Sequence, residues 1–393
     1  MGFGAIIAAG ENNTFLRDDL LDCLIEVRVE QSLDEPTRFA MRFQEDISDG
    51  QPRMKGAPEL GCGQMITIAV EVGDEIKCLV RGPITEREWS AMLGGPGSWF
   101  EIRGEDRRIE LDRQYKHAPL SGRESDIAQA ILSQKFNKTC IQQTNRVYGQ
   151  LNGHGEPLVE TLNQRATDER LLCQIARRNN MHFWIAYTCQ RNGLDPSGDS
   201  LKVEETANLR SSPLRPEDTK NLLDCQGIQL NPRVDVTLRL NVEKDLCQNV
   251  TVFKMREYSE RPSRFSGIAV DDRAGKSNTT TATDPQPPLA KRSKRVDRCN
   301  FERDVFITTA GNIEELLRKA FSALTEAGWF IQATASTTAH MLNGVLLPHD
   351  EVEVKGLGNE DDGFYQVKAV THVINAADHF MDLELRRNAL GGD

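Results

Sequence analysis

Val234, Val236, Leu238, Leu240 and Val242 alternate with Asp235, Thr237, Arg239 and Asn241. A period of two fits a strand with one buried and one wet face, because successive side chains on a strand point to opposite sides of the sheet. The same alternation opens the chain: Ile25, Val27 and Val29 face one way, Glu26, Arg28 and Glu30 the other. Turn chemistry at Leu33-Asp-Glu-Pro36 follows, and Phe39, Met41 and Phe43 resume the pattern. Met65 to Val72 and Ile76 to Val80 read as a second hairpin turning at Gly73-Asp74. Gly82-Pro83 breaks the run, and Ile84 to Trp89 and Trp99 to Arg103 read as further strands. Short strands joined by tight turns predict a sandwich or small barrel that closes near residue 110.

The period then changes. Ser125 can cap a helix carrying Ile127/Ile131 and Ala128/Leu132/Phe136 at four-residue spacing. Thr167 can cap another, with Asp168 and Glu169 at its positive end, Arg177 and Arg178 at its negative end, and Leu171, Leu172, Ile175 and Ala176 on its apolar face. Met181 to Tyr187 reads as a buried strand. This middle stretch predicts an α+β module ending near Pro213 and Pro216. The strand at 234–242 comes next, with Val250 to Met255 as its expected partner. From about Ser259 the chain turns Ser/Thr/Pro-rich, with too little apolar surface to offset its ordering entropy, and it reads as a long mobile loop. Asn312 and Glu315 then form a capping box for a helix with Ile313, Leu316, Leu317, Ala320, Phe321 and Leu324 on one face and Gly328 at its end. Glu351 to Lys355, Phe364 to Val373 and Met381 to Leu385 read as three closing strands. Both β regions share a coarse layout that permits a duplication without proving one.

Composition removes several classes. At about 150 residues per domain, 393 residues suggest two to four domains. No stretch approaches the ~20 apolar residues needed to span a bilayer, and the apolar N-terminal run lacks a basic region before it. Nine cysteines, none closely spaced, read as free thiols in a reducing cytoplasm. A net charge of −11 argues against general nucleic-acid wrapping.

Motifs for chemistry are sparse. The seven histidines offer no HxxxH, and the nearest pair is His372/His379, so no metal site is assigned and strand-face histidines are the plainer reading. Gly275-Lys276-Ser277 lacks both the upstream glycine and the following helix of a phosphate loop. Asn359 to Gly363 lacks calcium-loop spacing and reads as a solvated turn. No GxSxG elbow or cysteine nucleophile motif occurs, so no catalytic or cofactor-binding residue is assigned. Paired carboxylates are too numerous among 59 acidic residues for sequence alone to judge. Lys291, Arg292, Lys294 and Arg295 form the one basic cluster, a candidate partner-contact loop beside the simpler reading of a solvated loop end.

Three C-terminal segments carry more: Leu347-Pro-His-Asp-Glu-Val-Glu-Val-Lys-Gly356, Asp362-Gly-Phe-Tyr-Gln-Val-Lys-Ala-Val-Thr-His-Val373 and Leu383-Glu-Leu-Arg-Arg-Asn-Ala-Leu390. With Leu79-Val-Arg-Gly82, Arg103-Gly-Glu-Asp106 and Leu171 to Arg178 leading into Phe183-Trp184, they resemble the phage late control gene D family. These are baseplate hub proteins of contractile tails, related to VgrG-like and extracellular injection-system proteins. The resemblance implies a mainly β fold with an α+β insertion. Two tube-protein-like β-barrels would occupy 1–110 and 216–258 with 340–393, and the α+β module 111–215. The mobile loop would span 259–300, and a helix-plus-strand element over 301–339 would pack on the second barrel. It also implies a homotrimer whose six barrels mimic a hexameric ring, with tail tube, spike and baseplate wedge proteins as partners and no cofactor. Fused members continue into a spike after the hub; here the spike is expected to be a separate protein. The expected role is a non-enzymatic hub, made in the cytoplasm and built into a phage tail or injection particle. It would have no membrane or specific nucleic-acid contact, and a polar, acidic lumen. The rivals are a tail-borne cell-wall hydrolase and a single-stranded nucleic-acid-binding module.

Overall fold

The computed structural model describes residues 4–45, 52–73, 75–92, 97–149, 162–192, 199–212, 222–223, 233–240, 247–271, 276–283, 289, 304–307 and 313–391. The fold is mainly β with an α+β insertion. The N-terminal part comprises β1 (Ala5–Ala9), β2 (Leu24–Ser32), β3 (Arg38–Gln44), β4 (Met65–Val72), β5 (Glu75–Ser90) and β6 (Trp99–Glu105). The insertion carries α1 (Glu124–Leu132), β7 (Lys138–Gln142), α2 (Asp168–Arg178), β8 (His182–Arg191) and β9 (Leu201–Arg210). The C-terminal part adds β10 (Arg233–Arg239), β11 (Val252–Glu257), β12 (Arg264–Asp271), β13 (Lys276–Thr283), β14 (Asp304–Ile307), α3 (Ile313–Gly328), β15 (Ile331–Thr338), β16 (Glu351–Lys355), β17 (Gly363–Asn375) and β18 (His379–Arg387).

The alternation read at Leu24–Phe43 becomes the antiparallel pair β2–β3, with Val27, Val29, Met41 and Phe43 fully buried and Arg28, Glu30, Arg38 and Arg42 facing outward. In the N-terminal part the strands run in the order β4-β5-β6-β3-β2, every neighbour antiparallel. The C-terminal part repeats that order as β16-β17-β18-β15-β11, again all antiparallel. Both copies carry a bulge at the same place, between Ile84 and Glu86 on β5 and between Val367 and Ala369 on β17. Ile84 opposes Gly104, which opposes Phe39; Val367 opposes Leu385, which opposes Ala333. The two units are thus register-matched strand by strand. They are not separate sheets: β2 pairs with β17, so both belong to one 13-stranded sheet over a shared core.

Several expectations need correction. Ile84 to Trp89 is no separate strand, because β5 runs unbroken from Glu75 to Ser90 past Gly82-Pro83. A Cβ on Gly82 would lie 1.8 Å from the Glu105 carbonyl oxygen, so glycine is what lets β5 bend against the end of β6. Gly82→Ala is accordingly expected to cost at least about 1–3 kcal/mol, the range for overpacking a tight site. Chemical denaturation would measure it, and an unchanged midpoint would contradict the steric reading.

The expected pairing of 250–255 with 234–242 does not form: β11 pairs with β15, and β10 runs parallel to β16. The helix expected to be capped by Ser125 begins at Glu124, with Arg123 in the cap position. Ser125 sits inside α1, and its N–H donates to Thr144 Oγ1 at 3.0 Å instead of serving as the cap. Thr167 caps α2 as expected, accepting from the Arg170 N–H. Part of the supposed mobile loop is ordered, since β12 and β13 form an antiparallel hairpin flanked by β14. β-branched threonines suit a strand even without bulk, and Phe265 and Ala282 are covered by Leu316, Ala320 and Leu324 of α3. The 301–339 element is not a unit laid on the second barrel either. β15 lies inside the sheet, between β11 and β18, while α3 packs on the new hairpin. The Asn312 cap lies outside the described residues.

The insertion has its own core around Leu132, Ile141, Leu171, Leu172, Ile175 and Leu209, with β7 and β9 parallel. Its cysteines depart from the free-thiol expectation at one place, since Cys140 is disulfide-bonded; its partner lies outside the described residues.

Candidate functional site

One feature facing solvent is the polar side of the long sheet. Directly opposed residues share a face, and the pairing register carries rows across both units. One row runs Glu86, Arg103, Ala40, Arg28, Val373, Phe380. A second runs Glu105, Arg38, Glu30, Thr371, Asp382, Ser336, Val252. In the first unit the charges neutralise one another locally. Arg42 reaches Glu101 at 2.7 Å, and Arg38 reaches Glu105 at 3.3 Å. Arg103 contacts Glu86, Glu88 and Glu101 at 3.2, 2.9 and 2.5 Å. Most of these side chains are around half exposed, so each pair adds little stability; their sum is a wet, mixed-charge surface.

A second feature fixes the insertion to the first unit. Glu205 on β9 accepts from Arg81 on β5 at 2.6 Å and from Arg107 at 2.5 Å. Arg81 also donates to Asn13 at 3.0 Å and to Glu11 at 3.1 Å, while Arg107 reaches back to Glu110 at 2.9 Å. Nearby, Ala8, Ala69 and Cys78 pack against Cys189 and Leu201. Arg108, almost wholly buried, crosses the junction to Glu169 at 2.6 Å and to the Phe183 carbonyl at 3.0 Å.

A third feature joins the two histidines that the sequence marked only as strand-face residues. His372 Nδ1 and His379 Nε2 are 2.9 Å apart in the core, and His372 Nε2 lies 3.0 Å from Gln31 Oε1. Gln31 Nε2 donates to the Leu79 carbonyl at 2.7 Å, which leaves Oε1 as an acceptor. His372 must then donate through Nε2 and accept at Nδ1, so His379 donates through Nε2. Burial holds the His372 pKa well below the usual histidine range, helped by the neighbouring His379, and lowers His379 to about 4. The chain ties β17 and β18 to β2 and β5 across the seam between the units. A signal was present: both histidines fall in the apolar phase of their strands, with Val370 and Ile374 on one and Met381 and Leu383 on the other.

Lys291, Arg292, Lys294 and Arg295 lie outside the described residues. Among the described residues no three His, Cys, Asp or Glu side chains converge on a metal-sized site, and no helix is long and apolar enough to cross a membrane. The acidic 359–363 segment is a turn. Asp362 Oδ1 accepts the Leu357 N–H at 2.7 Å, and Gly358 and Gly363 have φ of +104° and +130°, values that favour glycine.

No protein-family model and no curated protein matches the chain. Solved structures do. A tail protein from Neisseria meningitidis MC58 superposes with a TM-score of 0.61 at 14% identity, covering 98% of this chain and 97% of its own. The 43 kDa tail protein of prophage MuSo2 from Shewanella oneidensis gives 0.61 at 13%, covering 98% and 99%. The chain has the phage tail-protein fold. A Francisella PdpA–VgrG complex matches at 0.52 and 9% identity over 98% of this chain, which spans only 57% of that larger one. At these identities the likeness concerns the fold alone.

Proposed function

We propose that this chain is a structural component of a contractile phage tail or a tail-like injection machine, and within it the baseplate hub. Three copies would form a ring in which six register-matched β units mimic sixfold symmetry. One side of that ring fits a hexameric tail tube, and the other a trimeric spike; wedge proteins would dock on its periphery. The supporting observation is the duplication: two units with one strand order and one bulge position, set side by side in a single sheet within a tail-protein fold. A repeated unit lets a threefold ring offer six equivalent contacts.

In this reading the polar sheet face lines the channel. In the first unit its arginines are locally matched by glutamates, so passing cargo meets no basic wall there. The role calls for interface area rather than catalysis, and we read the chain as non-enzymatic. Native mass spectrometry tests the proposal. The chain is expected at three times its monomer mass, alone or once tube and spike proteins from the same particle are added. A monomer in the presence of both would overturn it.

A further inference from the structure

The seam inside the chain is a template for a seam between chains. Within one chain, the first strand of unit one (β2) pairs with the fourth strand of unit two (β17), with Glu30 opposite Thr371, Val29 opposite His372 and Arg28 opposite Val373. The corresponding strands of the opposite units are β11 and β5. Among the described residues, neither has a strand on the equivalent edge. β11 pairs only with β15. β4 leaves β5 at Pro83, as β16 leaves β17 at Gln366, and beyond that point β5 pairs only with β6.

Register matching converts this into named pairs. Glu86 corresponds to Ala369 through the bulges, so Glu88, Trp89 and Ser90 correspond to Thr371, His372 and Val373. Phe39 corresponds to Ala333, and their partners make Val29 equivalent to Met255. Resting on the trimeric reading above, we infer that β11 of one copy adds antiparallel to the free edge of β5 in the next. Arg256 then lies opposite Glu88, Met255 opposite Trp89 and Lys254 opposite Ser90; two residues past the strand, Val252 meets Met92.

Two independent observations agree with this register, and neither was used to set it. First, it puts opposite charges together at Glu88 and Arg256. Second, it covers four of the large apolar side chains that the single chain leaves exposed: Trp89 at 39%, Met92 at 55%, Val252 at 47% and Met255 at 38%. Scattered exposed apolar residues need no explanation; four that meet in two pairs under a register fixed elsewhere do. The occupant of the β5 edge is therefore a second copy of this chain. Backbone pairing of this kind is strand addition closed by symmetry, which leaves no edge open for aggregation.

The test uses the full chain with exposed Cys62 and Cys247 changed to serine. Ser90→Cys combined with Lys254→Cys should give, on mild oxidation, crosslinked dimers and trimers on a non-reducing gel. Neither single variant should, nor should Ser90→Cys with Arg256→Cys, which is two residues out of register. Charge reversal at Glu88→Arg or Arg256→Glu should weaken assembly at least tenfold, and the double reversal should restore it. A trimer by native mass with no 90–254 crosslink overturns the strand pairing while leaving the hub reading intact. Crosslinking by the shifted pair overturns the register, and a monomer under all conditions overturns both readings.

Discussion

Glu205→Ala is expected to destabilise the protein by about 3–5 kcal/mol, the range for leaving a buried charge without its partner. The carboxylate serves two arginines at once, with Oε1 on Arg81 and Oε2 on Arg107. The Arg81 side chain is 7% exposed, so water cannot take over when the carboxylate goes. Its remaining ion partner, Glu11, is 82% exposed and holds it weakly. Arg107 keeps Glu110, which places the expected loss toward the lower end of the range. Glu205→Gln should lose less, because an amide oxygen still accepts one of the two bonds. The measurement is the urea midpoint with an unchanged slope. A loss under about 1 kcal/mol would mean that the network behaves as a surface ion pair, and that apolar packing around Cys189 and Leu201 holds the insertion by itself.

The strand pattern of the chain was readable because the sheet has one wet and one dry face, so Val27, Val29, Met41 and Phe43 announced their burial by phase alone. The duplication was not readable, and the reason is packing. At matched positions unit one has Phe39 across from Gly104, and unit two has Ala333 across from Leu385. A Cβ on Gly104 would lie 2.3 Å from the Phe39 ring, so the large residue has taken the space of the small one. Volume is conserved across the pair while both identities change, which cores tolerate well. Identity comparison between the halves therefore finds nothing, although register comparison aligns the five strands the two units share. The β12–β13 hairpin was hidden for a different reason. Its core contribution is little more than Phe265 and Ala282, and its burial is supplied by α3, some forty residues downstream by sequence. The assembly edges were also invisible in advance, since an edge is defined by which strand is missing beside it.

Acidification is expected to loosen the seam between the units through its two histidines. A histidine whose folded pKa is depressed binds protons more readily once unfolded, so folding is fully favoured above pH 6.5 and loses ground as pH falls toward the folded value. For His379, lowered by burial from 6.5 to about 4, the loss across that window is about 3 kcal/mol, at 1.36 kcal/mol per pH unit. His372 shifts in the same direction. It also resists protonation geometrically, because a proton on Nδ1 would point at the N–H that His379 offers it. Asp350 acts in the opposite sense: burial pushes it up to about 7, so its cost grows as pH rises from 3.8 to 7. The histidine contribution is therefore read as a difference between proteins. In His379→Gln the amide can still donate to His372 but does not titrate. Wild type should lose about 3 kcal/mol more than this variant between pH 6.5 and 4, followed by urea unfolding at each pH. Parallel curves would mean that His379 stays solvated in solution, and the relay from Leu79 through Gln31 and His372 would then end one residue short of the turn.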